Sequence, residues 1–211
     1  AVAQQSPDGG QTKFWYDVLG RLVVSRNAEQ QLHKKYSYTL YDAIGRIREG
    51  GQKPQTVDPP AKNPDLLQKW LEEDPNREQI TRTQYDLSYG NDALKDFIVQ
   101  RNLRNRVSYS QVFDKEPDPN VLGTHQSATF YSYDILGNVD TLLQDYNFGE
   151  MKVTGNRFKK LVYDYDVISG KVNKGSYQPG QTDEFYHKYL YDSENRLTDV
   201  YTSQDKLSWE K

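Results

Sequence analysis

The chain has no cysteine, a single methionine and no long apolar run. Without cysteine there is no disulfide, no thiolate metal site and no thiol nucleophile. No stretch approaches the ~20 apolar residues that a membrane-spanning helix needs. Ala1 to Gly10 also lacks the charged-then-apolar order of a signal peptide. Neither sign of charge is in large excess: 27 Lys and Arg stand against 30 Asp and Glu, interspersed, for a net charge of −3. A phosphate backbone needs clustered cations, so nucleic acid is excluded as a partner. Apolar residues are only 35% of the chain and mean hydropathy is −0.94. What the sequence has instead is aromatic: 17 Tyr, 7 Phe and 3 Trp. These bury large area per residue and suit a sheet whose faces are half dry.

The aromatic residues recur in a pattern. Phe14-Trp15-Tyr16-Asp17-Val18-Leu19-Gly20-Arg21-Leu22 reads as the tip of a β-hairpin. Asp17 opens the turn, because its carboxylate can accept from backbone N–H groups just ahead. Val18, Leu19 and Gly20 form the loop, with Gly20 where φ must be positive. Asp17 then faces Arg21 and Tyr16 faces Leu22. Tyr41-Asp42-Ala43-Ile44-Gly45-Arg46-Ile47 and Tyr133-Asp134-Ile135-Leu136-Gly137-Asn138-Val139 repeat the pattern. Tyr191-Asp192-Ser193-Glu194-Asn195-Arg196-Leu197 puts Asn195 at the left-handed position, and Tyr165-Asp166-Val167-Ile168-Ser169-Gly170-Lys171 has one extra loop residue. Asn102-Leu103-Arg104-Asn105-Arg106-Val107 reads as a degraded copy opened by Asn102, and Tyr85-Asp86-Leu87-Ser88-Tyr89-Gly90 as a seventh. Recurrence of this kind marks a repeat architecture.

The copies at Tyr16, Tyr41, Tyr133 and Tyr191 resemble the bacterial RHS-repeat, or YD-repeat, family over nearly the whole chain except about residues 53–80. The resemblance implies an all-β fold of repeated antiparallel hairpins in an open, curved, spiral sheet. It implies a segment of a shell that encloses a C-terminal toxin or effector, in a secreted or cell-surface bacterial protein. The partners then expected are the remainder of a longer polypeptide, the toxin cargo, and a protein partner or second copy joined through sheet edges. The alternative is a surface carbohydrate-binding or adhesion module, whose aromatic faces stack on a glycan, or a partner-docking subunit of a surface complex. The family's self-cleaving core, with its Asp-Pro-x-x-Gly-rich signature, is not found here. Because the pattern is running at Phe14 and again just before Lys211, both ends are expected to continue in a longer array.

Residues 1–211 read as a single repeat region, interrupted at 53–80 by a Pro-rich loop and a short helix near 63–74. Asn63 caps that helix and Pro64 lies in its first turn. Leu66, Leu67, Trp70 and Leu71 form its apolar stripe and Asp74-Pro75 stops it, so the helix covers a sheet face or docks a partner. Tyr36, Tyr38 and Leu40 alternate until Tyr41, which places a bulge near Leu40–Tyr41. Phe97–Arg101 reads as a strand, and Leu142–Phe148 and Met151–Gly155 as strand and loop. The apolar apices Leu19, Ile44, Leu103 and Leu136 are expected to tuck against a neighbouring strand or turn.

No catalytic, cofactor or metal residues emerge. Asp114, Glu116, Asp118 and Asn120 alternate like calcium ligands, but Pro117 and Pro119 stiffen the loop and the sharp-turn glycine is missing. A solvated surface loop is the better reading. His33, His125 and His187 lack ligand spacing. Asp164 and Asp166 could pair as catalytic carboxylates, but Asp166 is explained as a turn opener. No nucleophile triad or phosphate loop is present, so a non-enzymatic structural role is expected.

Overall fold

The computed structural model describes residues 1–60, 63–72, 76–90, 94–118 and 123–211. Asp74, Pro75, Pro119 and Asn120, invoked above, lie outside the described residues. Among the described residues the fold is all-β, with thirteen strands and three short helices. The strands are β1 (Val2–Ser6), β2 (Gly10–Tyr16), β3 (Leu22–Arg26), β4 (Lys35–Tyr41), β5 (Ile47–Pro54), β6 (Glu78–Tyr85) and β7 (Val107–Lys115). They continue with β8 (Ser127–Tyr133), β9 (Val139–Tyr146), β10 (Phe158–Tyr165), β11 (Val172–Tyr177), β12 (Phe185–Tyr191) and β13 (Leu197–Ser203). Hydrogen-bonded neighbours follow chain order from β1 to β13 in one open sheet. The chain divides into two compact units, Ala1–Thr83 with Gln111–Gln126 and Gln84–Ser110 with Ser127–Lys211.

The hairpins share a slip in register. Trp15 faces Val24, yet Tyr16 faces Leu22. The same one-residue shift separates Leu40 from Tyr41, Ser132 from Tyr133, Asp164 from Tyr165 and Leu190 from Tyr191. Each motif tyrosine therefore sits at a bulge, where one extra residue of the returning strand raises the local twist. The bulge expected at Leu40–Tyr41 is a property of all five hairpins.

In the first unit, Tyr36, Tyr38 and Leu40 of β4 are all buried on one face, while Lys35, Ser37, Thr39 and Tyr41 are half-buried on the other. Helix α2 (Pro64–Glu72) lies on the buried face through Leu67 and Leu71. Trp15 and Trp70 both meet the Tyr36 ring edge-on, at centroid distances of 6.0 and 5.4 Å. Burying each such side chain contributes about 1.5–3 kcal/mol. Asn63 Oδ1 accepts from the backbone N–H of Asp65 and Leu66, as the capping argument requires. Leu66 departs from the expected stripe: it is exposed, because the helix presents only its Leu67–Leu71 line to the sheet. The helix thus covers a sheet face.

Two further helices were not anticipated. Helix α1 (Ala28–Leu32) is closed by a reciprocal capping box between Asn27 and Gln30, a signature legible in Asn-x-x-Gln. Helix α3 (Gly149–Val153) replaces the strand and loop expected around Met151. Glu150, Met151 and Lys152, all good helix formers, follow Gly149 there.

The second unit builds its own core from Ala128, Phe130 and Leu143 against Leu94 and Ile98, with Tyr89, Tyr109 and Phe158 around them. Leu94 and Ile98 come from residues 94–100, which form a turn followed by irregular backbone. The strand expected at Phe97–Arg101 is therefore absent. The backbone N–H groups of Phe97 and Ile98 both turn back onto the Leu94 carbonyl.

Gly20, Gly45, Gly137 and Gly170 all have positive φ, as does Asn195 at +62°. Replacing Gly45, at φ +90°, by Val should cost more than about 1 kcal/mol, because a β-branched side chain is strained there. Thermal denaturation of Gly45→Val checks this, with Asn195→Gly as a control that should melt no lower than the parent.

Candidate functional site

The repeated turn is where the sequence concentrates its invariant chemistry, so it is the site to build first. In the first copy Asp17 Oδ1 accepts from the backbone N–H of Leu19 and Arg21, both at 2.9 Å. Its Oδ2 accepts from Arg21 Nε at 2.7 Å. Asp42 binds Ile44, Arg46 and the Arg46 guanidinium in the same way, and Asp192 does so with Glu194 and Arg196. Asp134 substitutes the Asn138 amide, at 2.8 Å, for the guanidinium. The longer loop of Asp166 is held through Ile168 and Ser169 instead. One carboxylate thus satisfies most of the donors that the reversal leaves free, which is why Asp occupies this position.

The motif tyrosine has a separate task that sequence reasoning missed. Tyr41 Oη donates to the Leu22 carbonyl at 2.8 Å, and Tyr133 Oη to the Val107 carbonyl at 2.8 Å. Tyr165 and Tyr191 donate to the Val139 and Val172 carbonyls, each at 3.0 Å. Every acceptor is the apolar residue that leaves the preceding turn. These four hairpins are therefore each clasped to the one before by a hydroxyl reaching across the strand boundary. The acceptor is a main-chain oxygen, so no side-chain identity advertises it. In two of the joints an arginine of the preceding turn also meets the ring. Arg21 lies 4.4 Å from the Tyr41 ring centroid and Arg106 lies 5.4 Å from that of Tyr133. A β-carbon on Gly137 would stand 2.6 Å from the Arg106 guanidinium, so glycine there serves packing as well as φ.

Two readings of the turns need correction. Asn102 does not open a turn. The backbone N–H of Asp86 donates to the Arg106 carbonyl at 3.2 Å, matching Asp17 and Arg21 at 3.0 Å. Asp86 Oδ1 accepts from the Asn105 N–H at 2.5 Å, and Asn105 has φ +59°. Tyr85-Asp86 and Asn105-Arg106-Val107 are the two halves of one motif, parted by residues 87–104. Asn102 instead donates its amide to the Tyr133 carbonyl. Gln100 pins the insertion, accepting from Tyr89 N–H and donating to the Ser108 and Tyr131 carbonyls. The second correction concerns the apices. Leu19 and Ile44 are 72% and 71% exposed and Ile168 is 97% exposed, and Leu136 is also exposed. Neighbouring turns meet at the base of the loop, through the tyrosine hydroxyls and, at Tyr41 and Tyr133, an arginine, and the tips stay outside. Only Leu103, within the insertion, is buried.

The strongest electrostatic feature lies in the first unit. Glu49 is nearly buried and accepts from Tyr38 Oη and Arg77 at 2.8 Å each and from Arg82 Nε at 2.6 Å. Burial pushes its pKa up, but Arg82, Tyr38 and Arg77 outweigh this and hold it below the ordinary Glu value. Burial and the adjoining carboxylate push the Tyr38 phenol up. Arg77 also donates to the Leu71 carbonyl, at 2.7 Å, at the end of α2. The cluster therefore ties helix to sheet. In the second unit Asp145 is buried under a two-pronged bond from Arg157 at 2.5 and 2.8 Å.

The residues weighed for chemistry have other neighbours. Glu116, of the acidic loop, is engaged by Arg82 at 2.5 Å. His33 meets Glu29, His125 meets Gln111, and His187 stacks on Tyr189. Asp164 faces Lys174 across the strand pair while Asp166 caps its turn. Among the described residues no group of three or more His, Asp or Glu could hold a metal ion.

Comparison with known proteins places this geometry. The fold resembles TcdB2-TccC3. The crystal structure of TcdB2-TccC3 superposes with a TM-score of 0.58 and 14% identity over 99% of this chain. That of TcdB2-TccC3-TEV gives 0.58 and 13%, again over 99%. This chain spans 9% and 8% of those chains. At such identity the likeness concerns fold alone. No family model and no curated protein matches the chain.

Three measurements test the site. Tyr165→Phe should cost about 0.5–1.5 kcal/mol in urea denaturation, the worth of one hydrogen bond, with packing unchanged. Glu49→Ala should cost about 1–3 kcal/mol, because it leaves the buried Tyr38 hydroxyl and the half-buried Arg77 and Arg82 without their shared acceptor. The third concerns acid. Burial raises the pKa of Asp17, Asp42 and Asp134, but their turn hydrogen bonds outweigh it; in Asp192 and Asp166 the backbone N–H of Arg196 and of Ser169 leads the lowering. All five thus lie below the ordinary 3.8 when folded. The unfolded chain then binds protons more readily, so the turns' contribution is complete above that value and is lost as pH falls through the folded pKa values. Melting temperature should fall below about pH 4, and Asp17→Asn with Asp42→Asn should flatten that slope.

Proposed function

We propose that the chain is a non-enzymatic wall segment of an RHS/YD-repeat shell, a single repeat region over residues 1–211, whose parent polypeptide encloses a C-terminal toxin or effector outside the bacterial cell. The observation that carries this reading is the recurrence of one joint, the Tyr hydroxyl on the preceding turn's carbonyl, along a sheet whose strands follow chain order. Such a joint adds hairpins without limit and gives wall rather than active site. The likeness to TcdB2-TccC3, of which this chain corresponds to under a tenth, supports a part played within a much longer chain. In that parent, protease should leave the enclosed C-terminal segment intact until the repeats unfold. Digestion of that segment at temperatures where the repeats are native would overturn the shell.

The glycan reading has its own observation. Tyr163, His187 and Tyr189 are half-buried rings on one sheet face, with Gly175 between Tyr163 and His187 in the strand register. The shell reading expects the chain to give no signal on a glycan array. Saturable binding lost in Tyr189→Ala would favour adhesion instead.

A further inference from the structure

In the second unit a cavity of about 390 Å³ opens between the turn at residues 94–97 and the turns at residues 178–183. Its volume lies within the range of small-molecule sites. It exists because β11 leaves β10 early. β10 begins at Phe158, but its pairing with β11 reaches only Leu161, opposite Tyr177. Gln178, at φ +47°, turns the chain away. Its side chain then stands in for the missing strand, accepting from the Lys160 N–H at 2.6 Å and donating to the Phe158 carbonyl at 3.1 Å. Phe97 and Phe158, with ring centroids 4.3 Å apart, give the cavity an apolar floor.

Two opposite charges line this cavity without meeting. Asp96 and Lys160 both border it. Lys160 is half-buried, opposite the buried Leu143 in the strand register. Among the described residues neither side chain makes an ion pair or a hydrogen bond. The cavity's other carboxylate, Asp183, is taken by Lys159 at 2.6 Å. We propose that this cavity binds a small zwitterion with an apolar side chain, a free α-amino acid. Its ammonium meets Asp96, its carboxylate meets Lys160 and its side chain lies on the Phe97–Phe158 floor. A lone anion would be drawn by Lys160 and repelled by Asp96, and a lone cation the reverse; a zwitterion satisfies both. A sugar fits less well. It stacks on an open ring face, and the Phe158 ring is already engaged by Phe97 and by Arg157, 4.9 Å from its centroid. The inference does not depend on the wall reading.

Isothermal titration calorimetry on the whole chain tests this with phenylalanine, N-acetylphenylalanine, phenylalanine amide and acetate. Phenylalanine should bind saturably. The acetylated probe has lost the ammonium and the amide has lost the carboxylate, so each should bind about fivefold more weakly or worse. Two variants assign the ends. Asp96→Asn should weaken phenylalanine by a similar factor and leave N-acetylphenylalanine no weaker. Lys160→Gln should weaken phenylalanine and leave the amide no weaker. Neither side chain has a partner to lose, so both variants should melt with the parent, and the probe series on the unaltered chain decides the question without them. No saturable heat with phenylalanine at millimolar concentration would overturn the proposal. N-acetylphenylalanine or acetate binding as tightly as phenylalanine would make the cavity an anion site and overturn it as well. So would phenylalanine binding that neither variant moves, which would place the ligand elsewhere.

Discussion

A tyrosine hydroxyl that must find an acceptor at a strand boundary is the constraint on which the rest of this structure depends. The ring lies at the bulge of its own hairpin, where it is drawn out of water, and its hydroxyl must then be satisfied. The nearest oxygen whose lone pairs the ladder leaves free belongs to the first residue of the strand before. Satisfying one group thus fixes the register between hairpins, and at Tyr41 and Tyr133 an arginine of the preceding turn packs on the ring as well. The aspartate keeps the turn rigid enough for that hydroxyl to arrive at the right height. Removing the tyrosine leaves each hairpin intact and loosens the joint; removing the aspartate loosens the hairpin itself.

Within each unit the strands have a face to keep from water, and a departure from the repeat packs on it. In the first, the Pro-rich loop and α2 lie over Trp15, Tyr36 and Tyr38, with Glu49 and its arginines tying the helix end to the strands. In the second, residues 87–104 leave from the apex of a turn, pack Leu94 and Ile98 on Phe130 and Leu143, and return to complete the same turn. Insertion at an apex is tolerated because the closing bonds, Asp86 with Asn105 and Arg106, lie at its base.

The exposed apices follow from the same geometry. The contacts between neighbouring turns lie at the base of the loop, through the tyrosine hydroxyls and, at Tyr41 and Tyr133, an arginine, while the apolar tips of Leu19, Ile44 and Ile168 are exposed. Treating apolar tips as evidence of burial assumed that hydrophobic residues report their own environment, which single surface residues do not.

Turns, strand alternation, bulge and helix cap were legible in the sequence, because each depends on residues a few positions apart: Asp17 with Arg21, Gly45 with its positive φ, Tyr36 with Tyr38 and Leu40, Asn63 with Leu66. The all-β class and the hairpin repeat followed from those local rules. Tertiary structure alone decided what each tyrosine binds, since the Leu22, Val107, Val139 and Val172 acceptors are backbone oxygens with no signature in side-chain identity. It also decided that Tyr85-Asp86 and Asn105-Arg106 form one turn, because the bonds that join them cross an insertion that no local pattern can span. Short-range chemistry is written in neighbouring letters; partners that meet through the sheet are chosen only when the strands have found their register.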